Sequence, residues 1–147
     1  MKKGYFGIGC LNMRTQVNYG TLFRSANIFN ADFIFLIGRK FKHLPSDTLK
    51  SHKHIPLFEY ETFEDFYKNM PHGCKLIGIE KNENSIPIEN FKHPKQACYL
   101  LGAETDGTPK EIIEKCDEII QLPGEHFLNV SVAGSLVMFH RSLKNGE

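Results

Sequence analysis

Three stretches carry the residue types that could do chemistry. In the first, Asn18-Tyr19-Gly20 is followed by Arg24, and Gly20, Arg24 and Asn27 fall on one helical face at i, i+4, i+7. In the second, Leu101-Gly102-Ala103-Glu104 is followed by Gly107. The two glycines leave room for backbone to approach a ligand. Glu104 is free to accept hydrogen bonds from its own loop or from a substrate, or to be a plain acidic turn residue. The third runs Gln121-Leu-Pro-Gly-Glu-His-Phe-Leu-Asn-Val-Ser-Val-Ala-Gly134. Pro123 cannot extend a ladder, Gly124 permits a sharp turn, and Asn129 and Ser131 stand at the mouth of a helix. A loop entering a helix offers unpaired backbone N–H groups, which can hold a ligand or simply be capped.

The elements that must position these residues follow from hydrophobic pattern. Residues 4–12, 33–38, 55–58, 75–80, 97–102 and 118–122 read as strands. Three glycines in the first, Gly4, Gly7 and Gly9, imply close backbone approach or a bulge. The helix after Asn18, with Asn18 as its N-cap, buries Leu22, Phe23, Ala26 and Phe29. Thr62 caps a short helix with Phe63, Phe66 and Tyr67 inward, and Pro109 opens a helix over 109–116. The last helix carries the apolar stripe Val132, Leu136, Phe139 and Leu143. Ile86-Pro87-Ile88 and Phe91 either cover a pocket or pack. The alternation of strand and helix predicts an α/β fold with an open, mostly parallel sheet and helices on both faces. Ligands bind such sheets beyond the carboxyl ends of the strands.

Composition narrows the classes. The 147 residues suit one domain, 1–147, and 41% of them are hydrophobic, enough for a real core. No apolar run has membrane-spanning length, and the amino terminus lacks a secretory pattern, so a cytoplasmic setting is expected. Cys10, Cys74, Cys98 and Cys116 contain no Cys-x-x-Cys pair and read as reduced core thiols. The Gly102–Gly107 loop lacks the Lys-Ser/Thr ending of a phosphate loop and is no dinucleotide glycine triplet. Net charge is only +1, yet residues 1–58 hold nine Lys/Arg against two Asp/Glu, and residues 59–147 hold nine against fifteen. The densest basic cluster, Arg39, Lys40, Lys42, Lys50 and Lys53, can neutralise phosphates or serve as a solvated loop. His52-x-His54 within it is more in keeping with a polar loop than with a metal site.

The three stretches, in this order, resemble the three motifs of the SpoU-like (TrmH-type) RNA 2′-O-methyltransferases of the SPOUT superfamily. The resemblance spans nearly the whole chain. It implies a C-terminal trefoil knot, a homodimer, S-adenosylmethionine as methyl donor without a metal, and a ribose 2′-hydroxyl of tRNA or rRNA as acceptor. It implies a cofactor pocket made by the loops after Ile79, Leu101 and Leu122, with Gly102, Glu104, Gly107, Pro123 and Leu128 in its walls. Arg24 and Asn129 become the catalytic residues, and Asn18, Arg39, Lys40 and Lys42 the RNA contacts.

Methyl transfer from a sulfonium rests mainly on positioning, with help for the departing hydroxyl proton. Guanidinium stays protonated, so Arg24 is expected to hold phosphate and act electrostatically rather than as a free base. Asn129 is expected to orient Arg24 or the ribose, and it can cap the last helix as well. The chain departs from the family in three ways. Phe127 replaces the usual Ser before Leu-Asn-Val, the 123–128 segment is short with Gly124 in place of Met, and no added RNA-recognition domain is expected. A non-catalytic RNA-binding protein on the same fold, or a methyltransferase with another acceptor, are the alternatives.

Overall fold

The computed structural model describes residues 4–38, 55–104, 106–124 and 128–145. Among them, seven strands form one sheet in the order β3-β2-β1-β6-β4-β7-β5. They are β1 (Tyr5–Leu11), β2 (Phe33–Ile37), β3 (Leu57–Tyr60), β4 (Lys75–Ile79), β5 (Ile86–Pro87), β6 (Gln96–Leu101) and β7 (Glu118–Gln121). Every pairing is parallel. The helices are α1 (Gln16–Ile28), α2 (Phe63–Asn69), α3 (Lys110–Lys115) and α4 (Val130–Asn145).

Continuous apolar strands suit a parallel sheet covered on both sides, and alternation along them builds two cores. Ile8, Ile34, Tyr99 and Leu101 face one side with Leu22, Phe23 and Ala26 of α1 and Val137 and Met138 of α4. Phe33, Phe35, Cys98 and Leu100 face the other with Phe63 and Phe66 of α2, and Ile112 of α3 packs there too. The glycines of β1 mark close approach. A Cβ on Gly7 would enter the Phe33 ring, and one on Gly9 would strike Phe35. Phe35 in turn stacks on Phe66 at 4.3 Å between ring centroids.

Several local expectations are revised. Thr15, not Asn18, caps α1: its backbone is extended and its side chain accepts from Asn18 N–H at 3.1 Å. Asn18 therefore stands in the first turn with its amide free to reach elsewhere. The third strand starts at Leu57, because Pro56 has no N–H to pair and offers only its carbonyl, which accepts from Ile34 N–H at 2.9 Å. Tyr67 is exposed rather than inward. Ile88 and Phe91 pack in the core, and Ile86–Pro87 adds a two-residue edge strand against β7.

The largest revision concerns α4. Its buried residues are Val130, Ser131, Ala133, Gly134, Val137, Met138 and Arg141. The stripe Val132, Leu136, Phe139 and Leu143 keeps its helical spacing but faces outward. Small residues explain which face wins. Gly134 lets α4 approach so closely that a Cβ there would lie 2.7 Å from Leu22 Cδ1 and 3.1 Å from Leu101 Cδ1.

The carboxyl half of α4 is anchored by polar groups. Arg141 is fully buried, with Nη1 donating to the Pro94 carbonyl at 2.7 Å and to the Tyr99 hydroxyl at 3.0 Å. Its Nη2 donates to the Lys95 carbonyl at 3.0 Å, and the guanidinium lies 4.8 Å over the Phe6 ring. His93 joins Tyr99 (2.7 Å) to His140 (2.8 Å), so α4 is tied to the chain entering β6. The four cysteines are free thiols, and burial pushes Cys10 and Cys116 up to about 12. They are protonated and inert at neutral pH.

Candidate functional site

The carboxyl ends of β4, β6 and β7 open into a cavity of about 460 Å³, a size usual for small-molecule sites. Ile79, Gly102, Glu104, Gly107, Leu122, Pro123 and Leu128, all expected there, line it. Leu101, Ile113, Val130 and Ala133 add an apolar floor and wall. Among the described residues the charged groups around it are Glu80, Lys81, Glu104 and Asp106, three acids to one base.

Backbone shape explains the second stretch. Ala103 and Gly107 exchange N–H···O bonds of 2.9 and 3.0 Å, which clip the two ends of the loop together. Gly107 closes it with φ +69, in the left-handed region where glycine is at ease. A Cβ on Gly102 would press on Thr108 Oγ1 at 2.7 Å and on Gly107 backbone at 2.9 Å. Both glycines are therefore required by the chain itself, before any ligand is considered.

One hydrogen-bonded chain joins all three stretches. Glu104 accepts from Arg14 N–H at 2.7 Å with one carboxylate oxygen and from the Asn18 amide with the other. Asn18 Oδ1 accepts from Asn129 Nδ2 at 2.9 Å. Asn129 caps α4, its Oδ1 accepting from Ser131 N–H (2.9 Å), Ser131 Oγ (2.6 Å) and Val132 N–H (3.3 Å). Stability and placement are thus served by the same atoms. The cap fixes the start of α4, and the amide left over reaches Asn18.

Arg24 is not brought into this set. It is exposed on α1 and does not line the cavity, and it shares its outward face with Val17 and Ile28. Arg39, Lys40 and Lys42, like Phe127, lie outside the described residues. Residue pattern alone did not point to Glu80, Lys81 or Thr108. Glu80 Oε2 accepts from Thr108 N–H at 2.9 Å, and Lys81 Nζ donates to the Gly124 carbonyl at 2.7 Å, bridging two of the loops. The signal was positional: the first residues past a buried strand in such a sheet face the ligand edge.

The arrangement suits a small, polar, net-cationic ligand with an apolar part. It offers hydrogen-bonding backbone, glycine clearance and an acidic surround. Among the described residues no cluster of three or more His, Cys, Asp or Glu is placed to hold a metal ion. No described helix is long and apolar enough to cross a membrane.

Comparison with known proteins bears on the same elements. The model of the SpoU rRNA Methylase family matches residues 6–139. A mouse tRNA (guanosine(18)-2′-O)-methyltransferase, TARBP1, is 26% identical over 135 residues, which are 83% of this chain and 8% of that protein. A Staphylococcus aureus protein assigned by name to the TrmH family of tRNA/rRNA methyltransferases is 26% identical over 133 residues, 83% of this chain and 52% of that one. The chain thus spans about half the length of that relative or less. The crystal structure of an AdoMet-bound rRNA methyltransferase from Sinorhizobium meliloti superposes with a TM-score of 0.83 at 20% identity. It covers 97% of this chain and 57% of that one, and the likeness establishes the fold.

Proposed function

The chain belongs to the SpoU rRNA Methylase family, and from that premise we propose that it transfers a methyl group from S-adenosylmethionine to a ribose 2′-hydroxyl of tRNA or rRNA. The observation that carries the reading is the chain Glu104–Asn18–Asn129, which draws three separate stretches of sequence to one cavity edge. The cavity fits the cofactor on its own chemistry. Gly102 and Gly107 expose backbone, and Glu80, Glu104 and Asp106 outweigh Lys81 around a ligand with two positive groups and one negative. When bound, the cofactor supplies a methyl already activated by the sulfonium charge, so no metal is called for.

The protein's own work is positioning. Residues at Ile79, Gly102, Leu122, Pro123 and Leu128 hold the cofactor by backbone and apolar contact, with Glu104 keeping the loop after β6 in register. Asn129 orients the acceptor side. Arg24 binds RNA phosphate and stabilises charge that develops on the ribose oxygen; as a permanent cation it needs no pKa shift for this. Asn18, Arg39, Lys40 and Lys42 add contacts to RNA.

Arg24 points away from the cavity of its own chain, and this supports a homodimer in which it serves the partner's site. The outward face around it is apolar: Val17 and Ile28 on α1, and Val132, Leu136, Phe139 and Leu143 on α4. Exposed apolar side chains in such number on two helices suit an interface. The same reading gives the chain one domain, a C-terminal trefoil knot threaded by α4, and a cytoplasmic setting in keeping with four unpaired thiols.

The test is transfer of labelled methyl from S-adenosylmethionine to unmodified bulk RNA, followed by nuclease mapping of the product. The expected product is a nuclease-resistant 2′-O-methylated linkage, and Arg24→Ala is expected to abolish it while sparing cofactor affinity. Label on a base, or none with cofactor bound and RNA present, would refute the assignment.

A further inference from the structure

We propose that Glu80 is a positioning residue of the cofactor site, holding Gly107 and Thr108, the outgoing end of the loop after β6, in place for binding. This rests on the cofactor reading above and extends it to a residue outside the three stretches. Glu80 is the first residue past β4, and its own N–H is pinned to the Ile120 carbonyl of β7 at 3.0 Å. Its main chain therefore belongs to the sheet, and its carboxylate reaches from there to that loop. Oε2 accepts from Thr108 N–H at 2.9 Å, and Oε1 accepts from Lys81 N–H at 3.2 Å. The same Oε2 lies 3.0 Å from where a Cβ on Gly107 would be, so the loop's left-handed residue rests on the carboxylate.

Among the described residues the loop has few other ties on this side. Its two internal bonds, between Ala103 and Gly107, close it on itself and do not locate it. Glu104 fixes the flank towards Arg14 and Asn18. Glu80 fixes the flank towards β4 and β7, and so sets the width of the cavity between the loops after β4 and β6. Thr108 supplies a second observation. Its Oγ1 is buried with no hydrogen-bond partner among the described residues. A buried hydroxyl left without a partner beside a cavity calls for an explanation, and a ligand seated against Thr108, whose N–H Glu80 holds in place, would supply one.

The experiment compares wild type, Glu80→Ala and Glu80→Gln by calorimetric titration with S-adenosylmethionine, alongside amide hydrogen exchange at Thr108. Loss of a hydrogen bond to a charged group should weaken cofactor binding on the order of tenfold to a hundredfold in Glu80→Ala. Glu80→Gln keeps an acceptor and should recover binding to within a few-fold of wild type. Thr108 N–H should be protected in the apo wild type and in Glu80→Gln, and exchange freely in Glu80→Ala. In turnover, KM for the cofactor should rise more than kcat falls. Wild-type affinity in Glu80→Ala, or equal loss in both variants with Thr108 still protected, would overturn the proposal. Failure of wild type itself to bind would sink the cofactor reading, and Thr108 exchange would still decide whether Glu80 holds the loop.

Discussion

Acid should destabilise this protein through His93, by an amount that can be worked out. His93 is 6% exposed, and its ring bridges Tyr99 and His140. Because Arg141 donates to the Tyr99 oxygen, the phenol hydrogen is left for His93 Nδ1, and His93 Nε2–H then donates to His140. In that arrangement His93 is neutral, with Nδ1 accepting and Nε2–H donating. Burial, then the nearby positive charges of His140, Arg141 and Lys144, lower its pKa to about 3. The unfolded chain takes up a proton near pH 6.5 and the folded one does not. Stability is therefore full above that value and lost as pH falls from there towards 3. Between pH 8 and pH 5 the loss is about 2 kcal/mol, set almost wholly by the unfolded pKa because the folded one lies well below 5. The assay is urea unfolding at fixed protein concentration and ionic strength across that range, for wild type and His93→Gln. Carboxylates titrate in both and cancel in the difference. The difference in unfolding free energy should change by about 2 kcal/mol over the three pH units. Parallel curves would refute the neutral buried imidazole.

Three further outcomes follow from the packing and the cavity edge. Gly134→Ala should destabilise by about 1–2 kcal/mol despite its better helix propensity, because the new methyl collides with Leu22 and Leu101; a more stable variant in thermal unfolding would show that α4 has room there. Asn18→Ala breaks both links of the Glu104–Asn129 chain and should cost about 1–3 kcal/mol together with most methyl transfer. Wild-type turnover at unchanged Tm would reduce the chain to ornament on the fold. Leu136→Glu with Phe139→Glu should convert a dimer to monomer in sedimentation without unfolding it, since both side chains face outward; unchanged sedimentation would place any interface elsewhere.

The sheet was legible because buried parallel strands write themselves as continuous apolar runs, as Phe33–Ile37 and Ala97–Leu101 do. The cavity was legible through its glycines and strand ends. Where reading failed, two physical options were locally equivalent. Thr15 and Asn18 are both good caps, and only the extended backbone at Thr15 decides between them. α4 is apolar on opposite faces, so periodicity finds the Val132–Leu143 stripe but cannot say that small Ala133 and Gly134 turn the other face inward. Arg141 is a charge, which sequence rules place in solvent. Two backbone carbonyls, a phenol and an aromatic face make burial tolerable, and they come from residues more than 40 positions away. Glu80 was hidden for the same reason, since its partner Thr108 is distant in the chain.

In the function proposed here, the cavity at the ends of β4, β6 and β7 holds S-adenosylmethionine. Calorimetric titration of wild type and Gly102→Val with S-adenosylmethionine and S-adenosylhomocysteine tests it most directly. Wild type should bind both ligands saturably at one site per chain. The folded variant should bind neither, since its side chain has no room beside Thr108 and Gly107. No binding to folded wild type, with or without bulk RNA present, would contradict that assignment.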